Sequence, residues 1–282
     1  MSTTEILQDP LPAVTEANAS PAVAEIFSDI RNTLDVSVVN LIWRHLATMP
    51  GALDWVWTSV KPLYLEHAPA RAKQVLQQLA LPQIPAFSQD TMTASGINED
   101  ASSSIRSILN SYYHTNALAL VCLSAFCSRF AGHDARVNAV STSTSNSPRA
   151  VTRLHNGVLP PLPAMQKIAP AVRRLVYELN TFGEDSDTKL VASMYRHLSY
   201  SPPYLSLIRT LLIPLHLSGE LSALTTAVRQ QGEAHGRELA EFLSAIAPVA
   251  DVGPVLTAVT RFVRHPISRM TAICAILHEV TP

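Results

Sequence analysis

The stretch Trp43-Arg44-His45-Leu46-Ala47-Thr48-Met49-Pro50 sets the architecture, because it occurs again as Tyr195-Arg196-His197-Leu198-Ser199-Tyr200-Ser201-Pro202. The offset between the copies is 152 residues at the arginines (196 − 44) and at the prolines (202 − 50). Twelve residues after each of these prolines comes another one, Pro62 and Pro214. A shared start, a shared gap and a second proline in register together indicate two copies of one helical unit.

The bounds of the two units follow from changes in composition. Residues 141–148 are low-complexity and polar, and Leu159-Pro160-Pro161-Leu162-Pro163 is stiff, which is typical of a linker. After it, Pro170-Ala171-Val172 matches Pro21-Ala22-Val23 at an offset of 149 (170 − 21), so about three extra residues fall near 183–187. We therefore expect an irregular arm at 1–20, a first repeat at 21–133, a linker at 134–164 and a second repeat at 165–282.

Hydrophobic periodicity predicts helices throughout both units. No sustained alternation of apolar and polar residues occurs, so we expect no sheet. The predicted class is all-α, with two pseudo-symmetric repeats packed as an intramolecular pseudo-dimer around a site at the pseudo-two-fold axis. The expected helices cover residues 22–33, 38–48, 53–66, 69–79, 102–113, 116–130, 190–198, 204–217, 221–246 and 255–282.

Composition excludes several classes of protein. Hydrophobic residues make up 47% and charged residues 15%, with a formal net charge of −1 and no basic block, so nucleic acid is not an expected partner. The N-terminus lacks the pattern of a signal peptide, and the apolar stretches 117–126 and 205–217 are too short to span a bilayer. We expect a cytoplasmic protein that does not bind membranes.

Sites for metals and cofactors are not expected either. Three cysteines, Cys122, Cys127 and Cys274, do not make a disulfide framework and fit small buried apolar residues in a reducing compartment. The ten histidines form no H-E-x-x-H or comparable ligand cluster. A Gly-rich phosphate loop, a G-x-S-x-G elbow and a dinucleotide fingerprint are all absent from the sequence.

A family resemblance appears at this point. Asp29-Ile30-Arg31-x-Thr33-Leu34-x-Val36, followed by Arg44-x-Leu46-Ala47-Thr48-x-Pro50-Gly51-x-Leu53, resembles the first repeat of the group I 2-haloacid dehalogenases, which act on both D- and L-enantiomers. The Pro/Leu run at 159–163 and Arg261-Phe262 resemble later segments of that family. The resemblance implies an all-α pseudo-dimer, commonly a homodimer, in which water displaces halide at C2 without a covalent ester. An aspartate activates the water and an asparagine helps to hold it.

The family's site residues are only partly retained. The asparagine falls on Asn116, and the serine that precedes the aspartate falls on Ser193. The aspartate itself falls on Met194, whose thioether cannot take a proton from water. The family's tyrosine falls on Val259, and its aromatic pocket positions fall on Val38 and Leu41. The resemblance therefore predicts a pocket that keeps its amide and its serine but lacks the base.

Three residues are candidates for the missing acid or base. His265 is the repeat partner of Asn116, at an offset of 149, and precedes Pro266; His114 lies two residues before Asn116. Asp187 follows Ser186 and copies the family's Ser-Asp letters seven residues too early. Structural alternatives exist as well: Asn116 as a helix cap, the repeat-equivalent His45 and His197 as core residues, and Asp187 as a solvated loop or N-cap residue.

Three functions stay open from the sequence. The first is a divergent enzyme on the haloacid dehalogenase scaffold, acting on a small or medium apolar substrate that can bear a carboxylate. The second is a genuine 2-haloacid dehalogenase with Asp187 as the base, and the third is a non-catalytic protein that binds a small molecule. In each case we expect a small-molecule ligand, a homodimer and no cofactor.

Overall fold

The computed structural model describes residues 11–130, 158–183, 190–249 and 251–282, and within these ranges every regular element is a helix. The prediction of an all-α fold is confirmed. The two-fold relation between the repeats and their bounds stay predictions, and most of the predicted linker lies outside the described residues.

The described residues form twelve α-helices, and two single π-helical turns join four of them in pairs. The π-helical turns, Leu63–His67 and Val263–Ile267, each continue one α-helix into the next. The α-helices are α1 (Pro21–Leu34), α2 (Leu41–Leu46), α3 (Ala52–Pro62), α4 (Ala68–Gln77), α5 (Gln89–Ala94), α6 (Glu99–Phe130), α7 (Pro170–Leu179), α8 (Ser193–Leu198), α9 (Pro202–Leu217), α10 (Glu220–Leu239), α11 (Val252–Phe262) and α12 (Ser268–Val280).

The core is built around α6. Residues 115–126 of this helix are all buried, and α6 packs against α4, α10 and α12. Residues 266–277, which lead into and form most of α12, are also buried throughout. A helix that is apolar and buried on every side is central in its fold. Residues 115–126 of α6 and most of α12 meet this description, and residues 42–46 of α2 are buried as well.

The predicted break between helices 102–113 and 116–130 is wrong. One continuous helix of 32 residues, α6, runs through this region. His114 and Thr115 are neither proline nor glycine, and the Thr115 hydroxyl donates to the Ser111 carbonyl at 2.9 Å inside the helix. Asn116 therefore lies in the middle of α6, so its alternative role as an N-terminal cap is also wrong.

The helices that contain the repeated stretch are shorter than predicted, six residues each. The segment before α2 stays extended where the Val39 N–H donates to the Glu16 carboxylate at 3.0 Å. The segment before α8 is held by Asn180, which accepts from the Ala192 N–H at 2.9 Å and donates to the Leu190 carbonyl at 2.8 Å. Because these backbone groups bond to side chains, neither segment joins its helix.

Each copy of the repeated stretch has an extended segment beside it. His45 Nδ1 lies 2.8 Å from the Pro12 carbonyl oxygen, and His197 Nε2 lies 3.0 Å from the Pro160 carbonyl oxygen. The residues just before each repeat thus provide main-chain acceptors for the two equivalent histidines.

Two further helix predictions need correction. The helix predicted at 221–246 ends at Leu239, and a 3₁₀ turn follows it. The chain beyond this turn is not helical, and there the Ser244 N–H donates to the Ser59 carbonyl at 3.0 Å. The short helix α5 was not predicted. It begins after Ser88, whose hydroxyl accepts from the Thr91 N–H at 3.0 Å as an N-cap.

Across the described ranges, no single helix is long and apolar enough to cross a membrane. The pair Pro202–Leu217 and Glu220–Phe242 reaches the required length and hydropathy only together, and it is bent by 84°.

Candidate functional site

A small cavity lies where α2, α6 and α8 meet the junction of α11 and α12. Its volume is about 50 Å³, which is room for about one or two water molecules. Most of its wall is apolar. The lining residues are Asn40, Leu41, Ile42, Tyr112, Asn116, Ala119, Leu190, Val191, Ala192, Ser193, Met194, Phe262, Pro266, Ile267 and Met270.

One face of α6 provides two of the polar side chains of this cavity, Tyr112 and Asn116. Tyr112, Asn116 and Ala119 are spaced at i, i+4 and i+7, so they share one side of the helix. Asn116 is 7% exposed, and its buried Nδ2 has no hydrogen-bond partner among the described residues. A buried amide donor without a partner costs free energy unless a water or ligand accepts from it.

The second wall is the extended segment before α8 and the first turn of that helix. Asn180 fixes residues 190–192, and this places Ser193 and Met194 at the cavity. Met194 is fully buried, with 0% exposure. The Ser193 Oγ is buried close to the Tyr112 hydroxyl, although the two do not form a well-aligned hydrogen bond.

The third wall depends on a proline within a helical segment. Pro266 has no N–H to donate, and the chain passes it in the π-helical turn Val263–Ile267. The Ser268 hydroxyl donates to the Val263 carbonyl at 2.6 Å and satisfies one acceptor of this turn. Through this turn, Phe262, Pro266 and Met270 all reach the cavity.

Behind the cavity, a chain of hydrogen bonds fixes the protonation of Tyr112 and His197. His197 Nε2 faces the Pro160 carbonyl at 3.0 Å, and a carbonyl can only accept, so Nε2 carries the proton. In the neutral ring, Nδ1 is then an acceptor, and the Tyr112 hydroxyl donates to it across 2.7 Å. The Tyr112 oxygen therefore offers lone pairs, not its proton, to the cavity.

Burial keeps both members of this pair neutral at pH 7. Desolvation raises the pKa of Tyr112 well above its usual value, even though the charges of Arg44 and Arg196 and the nearby Ser193 act to lower it. Desolvation also lowers the pKa of His197 to about 4, which the bond to Pro160 opposes and the two arginine charges reinforce. At pH 7, roughly one His197 ring in a thousand carries a second proton.

The two repeat-equivalent arginines surround this pair. Arg196 is 4% exposed and donates from Nε and Nη2 to the Pro163 carbonyl at 3.1 and 2.8 Å. A buried guanidinium needs a carboxylate or carbonyl partner, and the Pro163 carbonyl is that partner for Arg196. Arg44 is 8% exposed, and its main-chain carbonyl accepts from the Val14 N–H at 2.9 Å.

The structure brings four of the predicted site residues together and leaves four others outside the lining. Asn116, Ser193, Met194 and Leu41 line the cavity. The remaining four described candidates are Val38, His114, Val259 and His265.

Helix geometry explains three of these positions. His114 is two residues from Asn116, which places it about 200° around α6, and burial lowers its pKa. His265 directly precedes the lining residue Pro266 but is not itself part of the wall. Val259 is fully buried in α11, one turn before Phe262. The predicted roles of these residues stay predictions.

The candidate base Asp187 lies outside the described residues. Among the described residues that line the cavity, no side chain is a carboxylate. Within those described parts of the chain, no group of three or more His, Cys, Asp or Glu side chains could hold a metal ion. The polar groups of the described lining are therefore the amides of Asn40 and Asn116, the Ser193 hydroxyl and the Tyr112 oxygen, which accepts.

Sequence reasoning missed Tyr112 and the role of His197 at this cavity. Tyr112 is four residues before Asn116, so the continuous helix α6 would have placed both on one face. Because a helix break was predicted between residues 113 and 116, Tyr112 and Asn116 were not expected to share a helix face. The bond between Tyr112 and His197 joins residues 85 positions apart in sequence, and no local pattern signals it.

Comparison with known proteins gives one sequence relative and several similar structures. No family model matches the chain. A "2-haloacid dehalogenase, configuration-inverting" of Pseudomonas sp. (strain 113) is 25% identical over 248 residues, which covers 84% of this chain and 78% of the relative.

The similar structures are D-2-haloacid dehalogenases. One, in complex with L-LA, has a TM-score of 0.74 and 14% identity, with 96% of each chain covered. Another, a mutant in complex with D-2-CPA, has a TM-score of 0.67 and 16% identity, with 96% of this chain and 98% of the other covered. The chain therefore has the fold of the D-2-haloacid dehalogenases and is similar in sequence, over most of its length, to a configuration-inverting 2-haloacid dehalogenase.

Proposed function

We propose that this chain is a divergent enzyme on the haloacid dehalogenase scaffold, acting on a small apolar substrate that bears a carboxylate. The observation that carries the proposal is the cavity of about 50 Å³, with apolar walls and the unpartnered Asn116 amide. Its small volume limits the ligand to a small molecule. The Asn116 donor suits an oxygen of a carboxylate or of a bound water.

The divergence from haloacid hydrolysis rests on Met194. This residue stands where the family resemblance expects the base, and its thioether lines the cavity. The Tyr112 oxygen could accept a proton from water only as its own proton moves to His197. With a His197 pKa of about 4, that pair is a weak base at neutral pH. Direct attack of water at C2 is therefore expected to be slow.

A second candidate is a genuine 2-haloacid dehalogenase in which Asp187 is the base. The similarity to a configuration-inverting enzyme over 84% of the chain favours it, and so does the size of the cavity. In that case the carboxylate of Asp187 would have to reach a water held by Asn116.

We predict negligible halide release from either enantiomer of 2-chloropropionate, because loss of a general base typically costs about two to four orders of magnitude in rate. The measurement is halide production by the parent and by Asp187→Asn. Robust turnover in the parent that disappears in Asp187→Asn would establish the second candidate. Turnover unaffected by Asp187→Asn would direct attention to His265, His114 or the Tyr112–His197 pair.

Ligand binding tests the proposed substrate class separately from turnover. Propionate and L-lactate are titrated into the parent, Asn116→Ala and Asn110→Ala, with binding followed by ligand-observed NMR. Asn110 is on the same helix and bonds to His278 at 3.1 Å, outside the cavity, so its variant is a matched control. We expect saturable binding that only Asn116→Ala weakens. Equal weak signals in all three proteins would contradict a carboxylate site at Asn116.

A further inference from the structure

A second and larger cavity lies between α6, α10 and α11. Its volume is about 330 Å³, and none of its lining residues belongs to the cavity at Asn116. Two arginines, one glutamate, three hydroxyls and a thiol line it, together with the apolar side chains of Leu256 and Val263. Its walls thus combine charge, hydrogen-bonding groups and an apolar surface.

Close packing of α10 on α6 brings these groups together. A Cβ at Gly236 would lie 2.6 Å from the Ser124 Cβ, and one at Gly232 would lie 2.6 Å from the Leu120 Cγ. Only glycine permits this approach. As a result, Glu233 and Arg237 of α10 stand opposite Ser124 and its neighbours on α6.

The charges at this cavity do not balance. Arg264 pairs with Glu233 at 3.5 Å. Arg237 has no ion-pair partner among the described residues, so the three charged side chains carry a net charge of +1. A site with one surplus guanidinium favours a monoanion, and a guanidinium matches the geometry of a carboxylate.

Ser124 provides an independent sign of a ligand. It is 4% exposed, it lines the cavity, and its buried Oγ has no hydrogen-bond partner among the described residues. Close by, the Cys127 Sγ lies 3.5 Å from the Thr260 Oγ1. A buried hydroxyl without a partner is uncommon in native proteins and calls for a water or ligand atom beside it.

We propose that the cavity between α6, α10 and α11 binds a small organic carboxylate with a short apolar chain. Arg237 and Arg264 hold the carboxylate, Ser124 donates to one of its oxygens, and the apolar chain contacts Leu256 and Val263. This second site is independent of the function proposed for the cavity at Asn116.

Cys127 provides a readout that does not depend on activity. The chain has three cysteines, of which Cys122 and Cys274 are fully buried, whereas Cys127 is half-buried and lines the cavity. Its alkylation is followed with iodoacetate, which carries a carboxylate, and with the neutral iodoacetamide. In both reactions the thiolate sulfur forms a bond to carbon and iodide leaves. Burial raises the pKa of Cys127, so the rates are measured near pH 8.5.

We expect the iodoacetate rate to saturate with concentration and butyrate to suppress it at least threefold. In Arg237→Gln and in Ser124→Ala, the iodoacetate rate should no longer saturate with concentration. The iodoacetamide rate should stay within twofold of that of the parent. Peptide mapping and Cys127→Ser confirm which thiol reacts. Arg237 is exposed, so its substitution is not expected to prevent folding.

The proposal would be overturned if the alkylation rate rose linearly with iodoacetate concentration, did not change with butyrate and stayed the same in Arg237→Gln. An iodoacetate rate that falls in Arg237→Gln without saturation would also overturn it, because a local electrostatic potential produces that result without a site. Protection by inorganic phosphate but not by butyrate would replace a carboxylate with phosphate as the ligand, and the proposal as stated would be wrong.

Discussion

At the scale of single residues, the buried His197 connects the stability of the protein to pH. The unfolded chain protonates this ring as the pH falls through about 6.5, whereas the folded chain does so only near 4. The unfolded state therefore binds more protons between these values, and stability is lost as the pH falls through this window. We expect a loss of about 3 kcal/mol from this residue, measured by urea unfolding from pH 7.5 to 4.5.

Two histidine variants separate this effect from general acid unfolding. His197→Asn should flatten the dependence of the free energy of unfolding on pH between 4.5 and 6.5. His67→Asn should leave it unchanged, because the His67 side chain is 37% exposed and stays in contact with solvent in the folded protein. Identical slopes in the parent and in His197→Asn would refute the assignment of the pH dependence to His197.

We predict that Arg196 is a structural residue. Its guanidinium donates twice to the Pro163 carbonyl, and Arg196→Met leaves that acceptor unpaired. We expect the substitution to lower the free energy of unfolding by about 2–3 kcal/mol. Arg209→Met is the matched control, since Arg209 is exposed and pairs with Glu178 at 2.6 Å on the surface, where little change is expected. An Arg196→Met protein that melts like the parent but is inactive would instead assign the arginine to the site.

At the scale of helices, the contact between α10 and α6 depends on glycine. Gly236→Ala would place its Cβ 2.6 Å from the Ser124 Cβ and 2.8 Å from the Ala125 N, and both positions are backbone or directly attached to it. We expect a loss of about 1–3 kcal/mol in the free energy of unfolding from this overpacking. At Gly253 the nearest atom to a new Cβ is the Asp251 Oδ1 at 3.9 Å, so Gly253→Ala should have little effect. Equal melting temperatures for the two variants would contradict the close packing.

The sequence predicted the existence of most helices and misplaced several of their ends. The apolar periodicity of α1 and α9 places both ends of each helix within about two residues, and that of α3 places its start within one. The starts of α2 and α8 could not be predicted, because Glu16 and Asn180 hold the preceding backbone from distant positions. The continuity of α6 through Thr115 was missed for a local reason, since Thr115 bonds within its own helix. The misplaced starts of α2 and α8 therefore result from long-range side-chain contacts and not from local helix propensity.

The sequence predicted some residues of the candidate site and missed others. Asn116, Ser193, Met194 and Leu41 came from motif positions and do line one cavity. Tyr112 depended on knowing that α6 is continuous, and its partner His197 depended on tertiary packing. The second cavity had no sequence signal, because it arises where Gly236 allows α10 to approach α6.

At the scale of the whole molecule, we predict a homodimer. The prediction rests on the family resemblance, and the similar structures extend over nearly the whole chain. Light scattering from 1 to 100 μM should report about twice the 30.6 kDa mass of one chain. A mass of one chain over this range of concentration would contradict the prediction. Chemical cross-linking at the lowest concentration is an independent check on the assembly.

The extended segment beside α8 has a consequence for how the sequence of this protein can vary over time. Pro160, Pro161 and Pro163 contribute only their carbonyl oxygens, which accept from His197, Tyr200 and Arg196. Any residue that keeps the backbone extended presents the same acceptors. Substitutions in this segment can therefore accumulate with little selective cost, whereas the three donors on and after α8 cannot change without loss of the contact. Evolutionary constraint on this pair of elements is therefore expected to fall more heavily on the donors than on the acceptors.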